Sequence, residues 1–231
     1  MGTKIIIPEL TSQTLLVRKL RMSERIAQFI LFFPVFLFSL SFHEAAHAWT
    51  ANRLGDDTAK RMGRLTLNPL AHIDWIGTVI FPLLMFLMPG LLLFGWAKPV
   101  PVDPRNLKGG RKGDLKVSAA GPLSNVLLAL AFAGLMHVLV RTGYESRTAE
   151  IMAQLLSTGV YLNLMLAFFN LVPIPPLDGS GVLAGLLPAR YLEGYERISQ
   201  YGFLILIACL YLGVFRFLLF PVYRIAEAIL P

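Results

Sequence analysis

Five stretches without a charged side chain, residues 26–42, 75–97, 117–140, 151–177 and 198–215, decide what this chain can fold into. A helix needs about 20 apolar residues to cross the roughly 30 Å hydrocarbon core of a bilayer, and several of these runs meet that length. Only 15% of the residues are charged and 55% are apolar, against about 25% charged in soluble proteins. The expected fold is an all-α polytopic membrane protein with five to six apolar helical segments. The formal charge of +7 does not point to nucleic acid. The basic residues crowd the short segments between apolar runs, where membrane proteins keep them, and no soluble domain or basic recognition helix remains. The only cysteine, Cys209, lies in an apolar run, which excludes an intrachain disulfide and a cysteine-based metal site.

Residues 1–24 read as an N-terminal surface or interfacial segment, with a short β-branched run at Lys4–Ile7 and no apolar core of signal-peptide length. Residues 25–231 read as one integral-membrane domain with its core at about 26–190. The first span is expected from Glu24 to Leu54, kinked at Pro34 and stopped by Gly55. Two short membrane-associated strands are expected near 63–68 and 98–102. Between them, residues 75–95 are broken by Pro82 and Pro89-Gly90, which favours a bent or re-entrant hairpin. Spans follow at 117–140 and 151–171. The second stops at Pro173-Ile174-Pro175-Pro176, where three prolines in four residues cannot stay helical. A half helix over 180–188 and a last span at 198–220 complete the pattern. Segments 51–73 and 96–116 hold ten of the 21 basic residues, which places both on the cytoplasmic side. The basic residues at 18–25 count against that placement.

Chemistry concentrates where the first apolar run ends, in Phe42-His43-Glu44-Ala45-Ala46-His47-Ala48. Residues four apart share a helix face, so His43 and His47 can present two imidazoles to one metal ion, with Glu44 beside them to take a proton from the attacking water. A carboxylate at this depth costs at least ~2.5 kcal/mol without a partner, and a metal or wet cavity offsets that. A catalytic zinc site normally has three protein ligands, so a third must come from His, Asp or Glu. Asp178 is the best candidate, because it follows the prolines in non-helical backbone that can line a cavity. His72, in a polar turn after Asn68-Pro69, is the competitor. His137 reads as a bundle-facing core histidine.

Three motifs occur in order: the His43–His47 stretch, Gly121-Pro122-Leu123-Ser124-Asn125, and Asn170-Leu171-Val172-Pro173-Ile174-Pro175-Pro176-Leu177-Asp178-Gly179. Together they resemble the site-2 protease family of intramembrane zinc metalloproteases. Asn68-Pro69-Leu70-Ala71-His72 and Lys98-Pro99-Val100-Pro101-Val102 further resemble a compact prokaryotic branch without a PDZ or CBS domain.

The resemblance implies one zinc ion held by His43, His47 and Asp178, with Glu44 catalytic and Asn170 close to the active site as a candidate oxyanion donor. Gly121 and Asn125 match a small-x-x-x-Asn element, and Asn68 and His72 are structural or substrate-positioning. The implied activity is cleavage of membrane proteins within or beside a transmembrane segment whose helix is locally unwound. The implied location is a prokaryotic inner membrane, with the site nearer the cytoplasmic face. Two other readings compete: a metal-binding membrane transporter, and a catalytically silent family member acting as a scaffold.

Overall fold

The computed structural model describes residues 12–88, 95–143 and 146–231. Helix α1 (Ser12–Arg53) carries Pro34 inside it without ending there. It stops before Gly55, whose φ of 107° lies in the left-handed region that side chains rarely adopt. A single turn, α2 (Thr58–Arg61), and a 3-10 turn at Pro69–Ala71 follow. A π-helical turn at Trp75–Ile80, capped by the Asp74 carboxylate, runs into α3 (Phe81–Leu87). After an irregular stretch and a 3-10 turn at Pro104–Asn106 come α4 (Arg111–Arg141) and α5 (Arg147–Asn170). The chain ends in α6 (Asp178–Leu186), α7 (Ala189–Ser199), α8 (Gly202–Tyr211) and α9 (Arg216–Ile229). The Lys4–Ile7 run and the Pro89-Gly90 break lie outside the described residues.

Among the described residues, three helices are long and apolar enough to cross a membrane: Glu24–Arg53 within α1, then α4 and α5. Trp75–Leu87 and Gly202–Tyr211 are shorter apolar helices. The helix break was expected at the prolines, and α5 does end at Asn170, with α6 restarting at Asp178.

The two expected strands do not form, and no described residue is in a strand. In 63–68, Gly63 has a φ of 68° and the Arg64 N–H turns back to Ala59 O. The Thr66 carbonyl is taken by the His72 ring and the Thr66 hydroxyl accepts from Asn68 N. In 98–102, Pro99 and Pro101 have no N–H to give a ladder. The remaining groups bond elsewhere: Lys98 N to His72 O, Val100 N to the Glu44 carboxylate, and both Lys98 O and Pro99 O to Arg64 Nη2. The expected strands are replaced by loops whose groups bond to side chains and to non-ladder carbonyls.

Helix α4 is the centre, packed against α1, α5 and α6. His47 meets Val117 and His43 meets Asn125, so α1 and α4 are antiparallel. Asn163 meets Asn125 and Gly159 meets Phe132, so α5 is antiparallel to α4 and parallel to α1. Ala129, Ala133, Val160 and Leu164 form an apolar core with Val222 and Ala226 of α9. Helix α6 docks on α4 through glycines. A side chain at Gly181 would meet Ser118 and one at Gly185 would meet Leu115. Arg111 of α4 closes the far end of α6, donating to Ala184 O at 2.6 Å and Leu187 O at 2.5 Å. His137 is exposed, not turned into the bundle: its Nε2 lies 3.1 Å from Ile229 O, at the carbonyl end of α9.

Asp56 ties the end of α1 to the loop before α4. Its carboxylate, fully buried, accepts from Thr58 N, Thr58 Oγ1, Asn106 Nδ2 and Asp103 N. Burial alone would raise its pKa, but these donors together hold it below the usual carboxylate range. A folded pKa below the unfolded one stabilises the protein above about pH 4, and the gain is lost as pH falls through the folded value. Asp56→Asn is therefore expected to cost about 1–3 kcal/mol at pH 7. The difference in Tm between wild type and variant should shrink below about pH 4, as read by thermal unfolding in detergent. A difference that stays constant down to pH 3 would count against the carboxylate's charge as its source.

Candidate metal centre

One helical turn separates His43 from His47 on α1, and their rings stand edge to face with centroids 4.7 Å apart. The Nε2 atoms are 3.1 Å apart. Asp178, the first residue of α6, brings Oδ2 to 3.0 Å from His43 Nε2 and 3.3 Å from His47 Nε2. These three side chains form the only such His, Cys, Asp or Glu group among the described residues. Zinc bonds of about 2.0–2.1 Å in a tetrahedron put ligand atoms about 3.3 Å apart, so the triangle has the size of one face of a zinc site.

Hydrogen bonding decides what that triangle is for. His47 Nδ1 lies 2.7 Å from Val117 O, a carbonyl that can only accept, so Nδ1 carries the proton and Nε2 its lone pair. His43 Nδ1 lies 2.5 Å from Asn125 Oδ1, which fixes the same tautomer. Asp178 Oδ2 is buried and receives no hydrogen bond. Three lone pairs thus face one another at a buried point, an arrangement that calls for a cation between them. Two neutral imidazoles and a carboxylate suit zinc, and the groups at both Nδ1 atoms are the outer supports metal-bound histidines need. The chain fits the ion.

Gly121 of α4 backs directly onto this point. A Cβ there would collide with both His47 Nε2 and the His43 ring. The expected small residue is thus required by close approach. Gly179 meets a similar limit on the other side, against the Leu171 and Val172 backbone. Tyr195 of α7 bridges the proline turn and α6, donating to Pro173 O or Ser180 O at 3.3 Å. Asp178 is therefore presented by a clamped helix start rather than a loose loop.

Glu44 is buried beside the triangle, and its Oε2 accepts from Val100 N at 2.8 Å. That bond fixes one carboxylate oxygen. Asn170, at the end of α5, donates from Nδ2 to Leu166 O at 3.0 Å, and no hydrogen bond joins it to the triangle. His72 is 2% exposed and holds Thr66 O through Nε2; it is not part of the metal group. Asn68 caps the 3-10 turn by accepting from Leu70 N. Both serve the loop that carries Arg64 to the Lys98–Pro99 carbonyls.

Sequence reasoning missed Asn163, Val100 and the Val117 carbonyl. Main-chain partners leave no side-chain signature. Asn163 did leave one, as a second unexplained asparagine in a charge-free helix, where polar side chains turn inward.

Residues 134–213 match the model of Peptidase family M50, a stretch that includes Asn163, Asn170 and Asp178. Among relatives, a Bacillus subtilis protein named "Putative zinc metalloprotease YwhC" is 38% identical over 185 residues, 79% of this chain and 81% of its own. The Mycolicibacterium smegmatis protein "Putative zinc metalloprotease Rip2" is 33% identical over 182 residues, 79% of this chain and 67% of its own. "Zinc metalloprotease MJ0392" of Methanocaldococcus jannaschii is 31% identical over 90 residues, 39% of this chain and 24% of its own. No solved structure matches the chain.

Proposed function

Because this chain belongs to peptidase family M50, the site-2 type of zinc metalloprotease, we propose that it cuts membrane proteins within or next to a transmembrane segment. The observation that carries the reading is the triangle of lone pairs that Asp178 forms with His43 and His47, two residues in the C-terminal half of a 30-residue apolar helix. Its depth agrees. His43 directly follows the charge-free run 26–42, and Gly121 lies only five residues beyond Lys116, about 7 Å along a helix. The site is inside the apolar layer yet about one turn or two from the polar boundary, where water can reach it.

His43, His47 and Asp178 would hold the zinc, which when bound would supply Lewis acidity to the attacking water and the peptide carbonyl. Glu44 is the general base: its Oε2 is fixed by Val100 N–H, so Oε1 is the oxygen that takes the proton from the water and passes it to the leaving amine. Asn170 uses one amide hydrogen on Leu166 O, which leaves the second for the developing oxyanion. Gly121, with no side chain, lets α4 approach the two histidines closely. Asn68 and His72 brace the loop beside Glu44. An intact helix hides its carbonyls in hydrogen bonds, so the substrate is a segment that unwinds locally. The basic loops 51–73 and 96–116 favour a site on the cytoplasmic side of a prokaryotic inner membrane, and the basic residues at 18–25 count against it. The domain responsible is 25–231, with its core at about 26–190.

The test is purified protein in proteoliposomes with a helical membrane substrate. One zinc per chain and cleavage that stops with 1,10-phenanthroline and returns with zinc are expected. Zinc without cleavage of any membrane segment would favour the scaffold; zinc flux across the vesicle would favour the transporter.

A further inference from the structure

Behind the metal triangle, three helices meet at a line of buried amides. Asn125 of α4 and Asn163 of α5 are both 0% exposed, as is Ser39 of α1. Asn163 Nδ2 donates to Gly159 O at 2.8 Å and to Ser39 Oγ at 2.9 Å. Asn163 Oδ1 accepts from Asn125 Nδ2 at 2.8 Å, and Asn125 Oδ1 faces His43 Nδ1. Side-chain amides are ambiguous by 180°, and only the network around them fixes which atom is which. Here one member cannot be reversed: Gly159 O is a main-chain carbonyl and only accepts. Asn163 must therefore point its NH2 at Gly159 and its oxygen at Asn125. Asn125 must then give its NH2 to Asn163 and turn its oxygen to His43. His43 Nδ1 is left as a donor, and the lone pair falls on Nε2, toward Asp178.

We propose that Asn163 is a positioning residue for the metal ligand His43, setting its tautomer and ring orientation through Asn125. The inference rests on the zinc reading above and extends it to a residue that touches no ligand atom. The alternative is a plain interhelical tie between α5 and α1, and the two differ in what they do to the metal. Losing the oxygen of Asn163 leaves the Asn125 NH2 with only the long 3.5 Å contact to Ser39 O, too weak to hold the amide against a flip that puts an NH2 against His43 Nδ1–H. The ring must then turn or change tautomer, which costs Nε2 as a ligand. Losing the Ser39 hydroxyl removes a tie between the same helices but leaves the amide line intact, because Gly159 O still orients Asn163.

The experiment loads detergent-purified metal-free protein with Co(II), reading affinity by competition with a chelator and geometry by the visible d–d spectrum. Outer supports of metal-bound histidines are worth about 10–100-fold in affinity. Asn163→Leu is expected to lose that much and to change the spectrum. Asn163→Ala, which removes the acceptor without adding bulk, carries the same expectation should the leucine variant not fold. Asn163→Asp keeps an acceptor for Asn125 and, as a neutral buried acid, a donor for Gly159 O, so it should restore affinity and spectrum. Ser39→Ala should lower Tm with both metal readouts unchanged. Wild-type affinity and spectrum in Asn163→Leu and Asn163→Ala, or equal losses in Ser39→Ala, would overturn the inference. A wild-type protein that binds no Co(II) would overturn the metal-centre reading as well.

Discussion

Glu44→Gln is expected to remove peptide cleavage while the protein still carries one zinc. The substitution is close to isosteric, and the glutamine oxygen can still accept the Val100 N–H that holds Glu44 at 2.8 Å. The side chain therefore keeps its place, and His43, His47 and Asp178 are untouched. What disappears is basicity. An amide cannot take a proton from water or return one to a leaving amine, and a positioned general base contributes about 10²–10⁴-fold. The fall should appear in single-turnover cleavage of a helical membrane substrate, with metal content measured on the same preparation. Cleavage at the wild-type rate would remove Glu44 from the mechanism. If activity and zinc vanished together, the residue would be supporting the site and not reacting in it. Because the inactive variant still binds, it also retains uncut substrate, and the captured partners would report the segment that the enzyme recognises.

Asp178→Ala is expected to strip the metal itself. Asp178 Oδ2 is buried, receives no hydrogen bond and lies 3.0 and 3.3 Å from the two histidine nitrogens. Its removal takes away the one negative ligand and should weaken zinc binding by more than the about 100-fold that an outer support is worth. Competition with a chelator would measure it. Fold should persist, since α6 is held on α4 by Arg111 and by the contacts of Gly181 and Gly185. The alternative third ligand is His72, which spends Nε2 on Thr66 O and keeps Nδ1 buried without a partner. Undiminished zinc in Asp178→Ala would shift attention to His72, and His72→Ala should then lose the metal.

What could be read from residues alone followed the kind of signal each feature leaves. Helices α1, α4 and α5 announce themselves because lipid demands long charge-free runs, and Pro173–Pro176 announces a break because proline cannot continue a helix. The meeting of His43 with His47 follows from helical spacing. The loops were another matter. Residues 63–68 and 98–102 alternate as strands do, but strands need a partner ladder. Here the partners are the Arg64 guanidinium, the His72 ring and the Glu44 carboxylate, and pattern reading has no access to side chains that fold back on a loop. Asn163 could be noticed as a polar side chain in a charge-free helix, but its role could not be read. Its role depends on three helices converging at Ser39, Asn125 and Asn163, a relation of tertiary packing that no local period encodes. His137 was misjudged because histidine in an apolar run was assumed to turn inward, whereas it reaches the carbonyl end of α9.

The proposed ligand set spans the chain in a particular order: two members sit on α1, and the last waits at residue 178 of 231. Synthesis runs from the first to the last. A growing chain makes α1 with its histidines, then α4 with Gly121 and Asn125, then α5 with Asn163, all before the aspartate is added. For most of its synthesis the chain therefore lacks the anionic member of the proposed set. The metal-binding triangle can be completed only when α6 docks on α4, late in the chain's synthesis.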